Sequence, residues 1–168
     1  MSERIAIVIG AAGELGRITA ETLAAAGFTV AGVDRSEEGL KDLPDGIWRG
    51  AADSTDPAAA RSVVDRIAAE VGPPEVLVNT IGTYHLGDAL AATPEDLRLM
   101  IDVNVGPALW LTQAVVPYMR ERGSGSIVHV TARPGLEPTA GMATYAVSKA
   151  ALVHLTRVLD LEIGRAHV

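Results

Sequence analysis

Cysteine is absent from the 168 residues of this chain. Neither a disulfide framework nor thiolate catalysis is therefore available to it. Aromatic residues are also scarce, at 4% of the sequence, although hydrophobic residues as a whole reach 48%. The apolar content is thus almost entirely aliphatic, which is typical of the buried strands of parallel sheets. This length and hydrophobicity predict one ordered domain with a substantial core.

Positive charge is in short supply as well. There are 14 Lys and Arg residues against 21 Asp and Glu residues, and the formal net charge is −7. The basic residues form no stripe, so the sequence does not predict a nucleic-acid partner. No group of residues has metal-ligand spacing, and we expect no metal site. His129 is interpreted as structural, and His85 as either a solvated loop residue or a ligand or base.

Long hydrophobic runs are missing too. The apolar run near the N-terminus is too short for a signal peptide and ends at Gly10. The longest uncharged stretch, residues 103–119, contains prolines and falls short of the ~20 residues that a membrane-spanning helix needs. We therefore expect no membrane association, a cytoplasmic location, and a buried helix over about residues 104–118.

Strand-like and helix-like patterns alternate along the chain. Short aliphatic runs bounded by Gly, Pro or Asp predict strands, and apolar residues at helical spacing predict helices. The predicted strands cover residues 4–9, 28–33, 46–49, 75–79 and 126–131. The predicted helices cover residues 15–26, 57–71, 104–118 and 142–161, and a further helix begins at Thr93. Such alternation predicts βαβ units, a parallel sheet and right-handed crossovers.

Three glycines, Gly10, Gly13 and Gly16, follow the first predicted strand and open the first helix. In this context glycine permits a tight turn, a close approach of the backbone to a ligand, and close packing of the helix on the strand. A helix N-terminus can hold a pyrophosphate, so the loop predicts a dinucleotide-binding site. An ordinary strand-to-helix turn is the alternative. The other predicted cofactor contacts in this loop are Ala12, Glu14 and Leu15.

An acidic residue, Asp34, follows the second predicted strand. A carboxylate at this position can accept hydrogen bonds from the hydroxyls of an adenosine ribose and would repel a 2′-phosphate. It therefore favours NAD over NADP as the cofactor. The adjacent Arg35 could attract such a phosphate, so NADP stays open. A solvated charge at a strand end is the alternative without a function.

Tyr145 and Lys149 stand four residues apart in the last predicted helix and so share one of its faces. A free phenol, with a pKa of ~10, is a poor base near neutral pH. An ammonium at ~5 Å, with an effective dielectric constant of ~20, would stabilise the phenolate by roughly 3 kcal/mol, or about two pK units. We therefore predict that Lys149 lowers the pKa of Tyr145. The phenol would then exchange a proton with a carbonyl or alcohol as hydride moves.

Taken together and in this order, the motifs resemble those of the short-chain dehydrogenase/reductase family. The glycine loop matches the family's cofactor loop, and Tyr145 with Lys149 matches its catalytic helix. Asn104 matches its active-site asparagine. Two further segments resemble cofactor-contacting segments of the family, and they consist of Asp53, Ser54, Asn79, Thr80, Ile81 and Gly82. The resemblance extends from about residue 4 to residue 161.

The resemblance implies a Rossmann-like, doubly wound parallel sheet in three α/β/α layers. It also implies an NAD(P)-dependent oxidoreductase acting on an alcohol or carbonyl substrate, with Tyr145 as the general acid/base. Lys149 would hold the nicotinamide ribose, and Asn104 would support a water-linked proton path. Helices of the family pair across a dimer, so we expect a homo-oligomer, a dimer or tetramer, in which the apolar helices over residues 104–118 and 142–161 meet a partner. Packing within the chain is the alternative.

Two positions depart from the family pattern. Glu14 stands where the family usually has glycine; it is favourable at a helix start but close to the expected pyrophosphate. Ala132 stands where the family has a serine that polarises the substrate, and the hydroxyl of the adjacent Thr131 should point elsewhere. Losing one such donor commonly costs ~10²–10³ in rate. A non-catalytic dinucleotide-binding or redox-sensing protein, or an inactive fragment, is therefore the alternative function.

We expect residues 1–161 to be an incomplete dinucleotide-binding domain and the isolated chain to be inactive. The family's domain continues with two more strands, a nicotinamide-contacting loop and a substrate lid, so the fifth strand should become an exposed edge. We expect residues 162–168 to be a non-native tail. The sequencing-adapter string GAGATCGGAAGAGCACACGTCTGA encodes Glu-Ile-Gly-Arg-Ala-His-Val and a stop, which matches these seven residues. Different codons in the coding DNA would dismiss this expectation.

Overall fold

Residues 4–164 are described by a computed structural model of the chain, and they include one parallel sheet of five strands. The strands lie in the order β3-β2-β1-β4-β5. Their bounds are β1 Ile5–Ile9, β2 Thr29–Asp34, β3 Trp48–Ala51, β4 Val76–Asn79 and β5 Ser126–His129. The predicted parallel sheet is confirmed. Residues 165–168 of the predicted tail lie outside the described residues.

The helices within residues 4–164 are α1 Glu14–Ala25, α2 Glu37–Leu40, α3 Pro57–Glu70, α4 Pro94–Asn104, α5 Gly106–Arg122 and α6 Ala143–Ile163. Five of them correspond to predicted helices, and Thr93 caps α4 as its sequence indicates. The single-turn helix α2 was not predicted. Ser36 caps it by accepting a hydrogen bond from Gly39 N at 3.0 Å, and two glutamates follow in the first turn. That capping pattern is the sequence signal for this helix.

The core lies on both faces of the sheet, because successive strand residues point to opposite sides. On one face, Ile7 of β1 and Val33 of β2 are buried with residues of α3 and α5. On the other face, Val8 and Val30 of the same strands are buried with residues of α1 and α2. Helices therefore cover both faces of the sheet, which confirms the predicted three-layer, Rossmann-like architecture.

The uncharged segment that follows Asn104 forms α5, and most of its apolar side chains are buried within this chain. They share one apolar cluster with α3 and the sheet. Packing within the chain, the alternative left open by the sequence, therefore covers this helix. Large apolar side chains stay exposed on the neighbouring helices, namely Leu97 and Leu99 of α4 and Val147 of α6.

One stretch, Pro94–Arg122, is long and apolar enough to cross a membrane by length and composition, with a mean hydropathy of 1.3. In the fold it consists of two helices, α4 and α5, which meet at Val105. Half of the apolar window is buried inside the protein. Because the core helices of many proteins have the same property, this stretch is weak evidence for a membrane span.

β5 is an edge of the sheet, since among the described residues it pairs only with β4. Its Val128 side chain is 48% exposed. The expected exposed edge is therefore present. β5 is shorter than predicted because the chain leaves the sheet after His129 and forms a 3₁₀ turn over Arg133–Gly135.

His129 joins β5 to two neighbouring elements. Its Nδ1 lies 3.5 Å from Asn79 Nδ2 of β4, and its Nε2 lies 3.1 Å from Thr112 Oγ1 of α5. Burial lowers the pKa of His129 to about 4. The imidazole is therefore neutral near pH 7 and serves the packing of the sheet, which agrees with the structural role interpreted from the sequence.

Acid should destabilise the fold through His129. In the unfolded chain the imidazole takes up a proton near its ordinary pKa of 6.5, whereas in the fold it does so only near pH 4. Above pH 6.5 this titration leaves the free energy of unfolding unchanged. By pH 4 the free energy of unfolding should fall by about 3 kcal/mol, because the unfolded chain takes up a proton that the folded chain does not. Denaturant unfolding at both pH values should show this loss in the wild type and a correspondingly smaller one in His129→Gln. His154→Gln, which changes an exposed histidine of α6, is the control and should behave as the wild type.

Candidate active site

A cleft opens at the C-terminal edge of the sheet, where the loops after β1 and β4 separate. In a parallel sheet the chain leaves neighbouring strands in opposite directions at such a point, which creates a binding crevice. The cleft contains a cavity of about 590 Å³. The predicted cofactor residues that line it are Gly10, Ala12, Gly13, Asp34, Arg35, Asp53, Ser54, Thr80, Ile81 and Gly82. The fold therefore brings together residues from four separate sequence segments.

The glycine loop forms one wall of this cleft. Gly10 has a φ of +82°, a conformation that favours glycine, and its N–H donates to Val33 O at 2.8 Å. Gly13 precedes the N-terminus of α1. Glu14, Leu15 and Gly16 form the first turn of that helix and do not line the cavity. A Cβ on Gly16 would overlap the Gly10 carbonyl oxygen, so Gly16 serves the close packing that the sequence predicted for it.

Gly16→Ala should therefore displace α1 from the end of β1. We expect a loss of about 3 kcal/mol in the free energy of unfolding, because the added methyl group meets rigid backbone rather than a flexible side chain. Binding of ADP-ribose, followed by calorimetric titration, should weaken in parallel. Gly164→Ala is the control, since its Cβ would meet its nearest neighbour, Asp160 Oδ1, at an ordinary 3.6 Å. Wild-type stability in Gly16→Ala would contradict this interpretation.

Asp34 lies at the end of β2 and braces the adjacent loops. Its Oδ2 accepts a hydrogen bond from Ala12 N at 3.2 Å, and its Oδ1 accepts one from Ser36 N at 2.9 Å. A carboxylate offers about four acceptor positions, so capacity for ribose hydroxyls remains. Arg35 lines the same part of the cavity.

Asp53 and Ser54 follow β3 at the same edge of the sheet. Hydrogen bonds from the Thr55 side chain and backbone hold the pKa of Asp53 below its usual range. Ser54 is 1% exposed, and among the described residues its Oγ is the buried side-chain polar atom that has no hydrogen-bond partner. An unpaired hydroxyl is costly in a buried position, and its occurrence beside the cavity marks this end of the cleft as polar.

The segment after β4 connects the cleft to the helix that carries Tyr145. Thr80 Oγ1 donates to Ile9 O at 2.7 Å, and Asn79 Oδ1 accepts from Ile81 N at 3.1 Å, so side chains of this segment hold its backbone in place. Gly82 lies so close to α6 that a Cβ there would be 3.0 Å from Lys149 Nζ. The predicted Asn79–Gly82 segment thus lies between the cofactor cleft and Lys149.

Tyr145 and Lys149 share one face of α6, as their spacing predicted. Lys149 Nζ lies 5.9 Å from the centre of the Tyr145 ring. The amine is buried and donates to Val130 O at 3.2 Å. Burial raises the pKa of Tyr145 and lowers the pKa of Lys149. The prediction that the amine lowers the tyrosine pKa is therefore wrong for this structure, because desolvation of both groups outweighs their attraction.

Asn104, the last residue of α4, is 1% exposed and fully engaged. Its Oδ1 accepts from Thr83 N at 2.8 Å, and its Nδ2 donates to Thr83 O at 2.9 Å. The same Nδ2 donates to Ser148 Oγ at 2.9 Å. Sequence reasoning did not single out Ser148, although a small polar residue beside Lys149 on a helix was a usable signal.

Ala132 lies at the start of the 3₁₀ turn that precedes α6. The hydroxyl of the adjacent Thr131 donates to Lys149 O at 3.2 Å. That hydroxyl is therefore committed to α6. It points elsewhere as expected, but strand alternation is not the reason, because Thr131 lies beyond the end of β5. Neither residue offers a free side-chain donor at the position of the family's serine.

His85 lies in the loop between Gly82 and α4. Its Nδ1 is 3.5 Å from Thr144 Oγ1, next to Tyr145, and 3.8 Å from Asp96 Oδ1. Within residues 4–164 no three His, Asp or Glu side chains cluster closely enough to hold a metal ion.

The fold and the order of the site residues along the chain match those of a known protein family. The profile of the family described as short chain dehydrogenase matches residues 4–168 of the sequence. The chain belongs to the short-chain dehydrogenase/reductase family. A crystal structure of a short-chain dehydrogenase from Streptomyces avermitilis has a TM-score of 0.92 and 35% identity, and the match covers 99% of this chain and 62% of that one.

Two curated members of the family illustrate the similarity. The 2,3-dihydro-2,3-dihydroxybenzoate dehydrogenase of Bacillus subtilis is 35% identical over 98% of this chain and 66% of its own length. The 3-oxoacyl-[acyl-carrier-protein] reductase of Salmonella typhimurium is 32% identical over 96% of this chain and 68% of its own length. The chain spans between 55% and 70% of the length of these and other similar curated relatives.

Proposed function

We propose that the protein is an NAD(P)-dependent oxidoreductase that interconverts an alcohol and a carbonyl compound. The observation that carries this proposal is the position of the Lys149 amine, 5.9 Å from the centre of the Tyr145 ring. Gly82, which lines the cofactor cleft, lies against the same amine. Nucleotide binding alone needs no phenol at this place, whereas proton transfer does. Membership of the family supports the same reaction.

The cleft suits a nicotinamide dinucleotide. Its cavity of about 590 Å³ has the size of a ligand site and combines glycine backbone with polar groups. The N-terminus of α1 would hold the pyrophosphate, Asp34 the adenosine ribose, and Asp53 with Ser54 the adenine end. Lys149 would hold the nicotinamide ribose. When bound, the nicotinamide supplies or accepts the hydride.

Tyr145 would move the proton. Hydride delivery to a carbonyl carbon leaves negative charge on the oxygen, and the phenol donates its proton to that oxygen to form the alcohol. The raised pKa keeps Tyr145 protonated near neutral pH, which is the form needed for reduction. The amine of Lys149 would offset part of the cost of forming the phenolate, because it lies 5.9 Å from the centre of the Tyr145 ring. In the oxidation direction the same proton returns to the phenolate.

The substrate would enter beside two paired loops, one before α4 and the other before α6. Gly87 N donates to Gly141 O at 2.9 Å, which joins the loop after β4 to the loop before α6. His85 and the exposed Tyr84 lie in the first of these loops. The names of the two curated relatives point to cyclic dihydrodiols and 3-oxoacyl thioesters as compounds to test. We propose a small alcohol or carbonyl compound of this kind as the substrate.

Tyr145→Phe should abolish hydride transfer without abolishing cofactor binding. We expect turnover to fall by about 10²–10⁴, because the proton donor is lost while the ring remains. The measurement, made on a protein that spans the full length of the relatives, is NADH or NADPH absorbance with a cyclic dihydrodiol and a 3-oxoacyl thioester as substrates. Nucleotide affinity is measured separately by calorimetric titration.

Tyr118→Phe is the matched control for this experiment. It removes a phenolic hydroxyl that donates to Asp65 Oδ1 at 2.8 Å, away from the cleft, so turnover should stay near the wild-type value. Equal turnover in Tyr145→Phe and the wild type would refute the assigned role. In a protein that spans the full length of the relatives, nucleotide binding without hydride transfer to any substrate would favour the non-catalytic alternative, whereas inactivity of the isolated chain is the expected result.

We propose NAD as the preferred cofactor, on the basis of the Asp34 carboxylate. Asp34→Asn keeps the side-chain shape but removes the charge that repels a 2′-phosphate, and Arg35 stays in place. The ratio of NADPH to NADH affinity should rise about tenfold, the size of one charge interaction at the surface. Fluorescence titration with each nucleotide measures it. Asp42→Asn, which removes an exposed charge outside the cavity, should leave the ratio unchanged.

A homo-oligomer in the cytoplasm remains part of this proposal. The exposed apolar side chains of α4 and α6, including Leu97, Leu99 and Val147, support a contact between copies of the chain. Sedimentation of the purified protein measures the assembly directly.

A further inference from the structure

A buried hydrogen-bond chain ties α6 to α4 at Tyr145. It starts at Asn104 on α4, whose Nδ2 donates to Ser148 Oγ at 2.9 Å. Ser148 in turn donates to the backbone carbonyl of Tyr145 at 2.8 Å. Asn104 is 1% exposed and Ser148 0% exposed, so water does not compete for these bonds.

The other hydrogen bonds of Asn104 determine which group donates and which accepts along this hydrogen-bond chain. Asn104 Oδ1 accepts from Thr83 N, and Nδ2 donates to Thr83 O. Turning the amide over would set its oxygen against the Thr83 carbonyl and its NH₂ against the Thr83 N–H. Asn104 therefore donates to Ser148, and the single hydrogen of the Ser148 hydroxyl is left for Tyr145 O.

Tyr145 needs such a tie because it lies in the first turn of α6. The residue that precedes this helix, Met142, provides no side-chain cap. Uncapped helix ends fray, and a fraying first turn would move the phenol away from Lys149. The bond from Ser148 restrains this turn from within the helix, and Asn104 anchors Ser148 to the loop that also contains Gly82.

We propose that Ser148 is a positioning residue for Tyr145. It holds the first turn of α6 against the end of α4 and so keeps the phenol beside Lys149. This inference rests on the proposed function, because the position of the phenol matters for proton transfer. It assigns no chemical step to Ser148 itself.

The test compares Ser148→Ala with Thr156→Val in the intact chain. Thr156 makes an equivalent bond within the same helix, donating to Leu152 O at 2.8 Å, but it lies three turns from Tyr145. The first measurement is hydrogen exchange of the backbone amides of residues 144–149. We expect exchange there to become at least about tenfold faster in Ser148→Ala and to stay at the wild-type rate in Thr156→Val.

The second measurement reads the phenol directly. Ultraviolet titration of the tyrosines, with Tyr145→Phe subtracted, reports the Tyr145 pKa, which burial raises in the wild type. Ser148→Ala should move it towards the ordinary value of tyrosine because the turn opens to water, and Thr156→Val should not. Ser148→Cys nearly keeps the side-chain volume but replaces the hydroxyl with a weaker hydrogen-bonding group. It should shift the exchange rate and the Tyr145 pKa in the same direction as Ser148→Ala, and it replaces Ser148→Ala in the test if that variant does not fold.

Both readouts are independent of turnover. Unchanged exchange and an unchanged Tyr145 pKa in Ser148→Ala and Ser148→Cys, or an equal change in Thr156→Val, would overturn the positioning role. Absence of hydride transfer in a wild-type protein that spans the full length of the relatives would instead count against the proposed function. Where turnover is measurable, the Ser148 variants should lower kcat about tenfold and leave the KM for the nucleotide unchanged.

Discussion

Parallel hydrogen bonding of β1 to both β2 and β4 is the constraint on which the rest of the structure depends. β1 pairs with β2 over its whole length and with β4 from Ala6 to Ile9. The pairing continues past the strand ends, where Gly10 N donates to Val33 O and Thr80 N donates to Ile9 O. The three parallel strands β1, β2 and β4 end at the same edge of the sheet. The glycine loop, Asp34 and the Asn79–Gly82 segment, which follow these ends, must therefore meet in one cleft.

Burial governs the chemistry at the other side of that cleft. Lys149 is 4% exposed, so its amine loses hydration, and the partly buried phenol of Tyr145 loses some as well. The charged form of each group is therefore disfavoured, and the tyrosine pKa rises although a cation is near. The arrangement favours a neutral phenol that can donate a proton. The spacing of Tyr145 and Lys149 in the sequence correctly predicted that they are close, but it led to the wrong direction for the shift of the Tyr145 pKa.

The features predicted correctly are those that depend on nearby residues. Four of the strands follow aliphatic runs, and the start of α4 follows the capping pattern at Thr93. β3, which has no such run, lies two residues further along the chain than the predicted range of 46–49. Gly16 was predicted to allow close packing of the helix on the strand, and it packs on Gly10 and Ala11, which directly follow β1. The helix α2 was missed because a single turn shows no apolar period. The two loop contacts of the Asp34 carboxylate were missed because they involve backbone groups, which every sequence contains.

The sequence by itself determined the alternation of strands and helices, the glycine turn, and the common helix face of Tyr145 and Lys149. Each of these follows from residues a few positions apart, through the periods of strand and helix. Only the tertiary structure decided that Asn104 donates to Ser148, 44 residues away, and that burial raises the Tyr145 pKa. Partner choice and desolvation depend on how whole elements pack, and no local pattern records that packing.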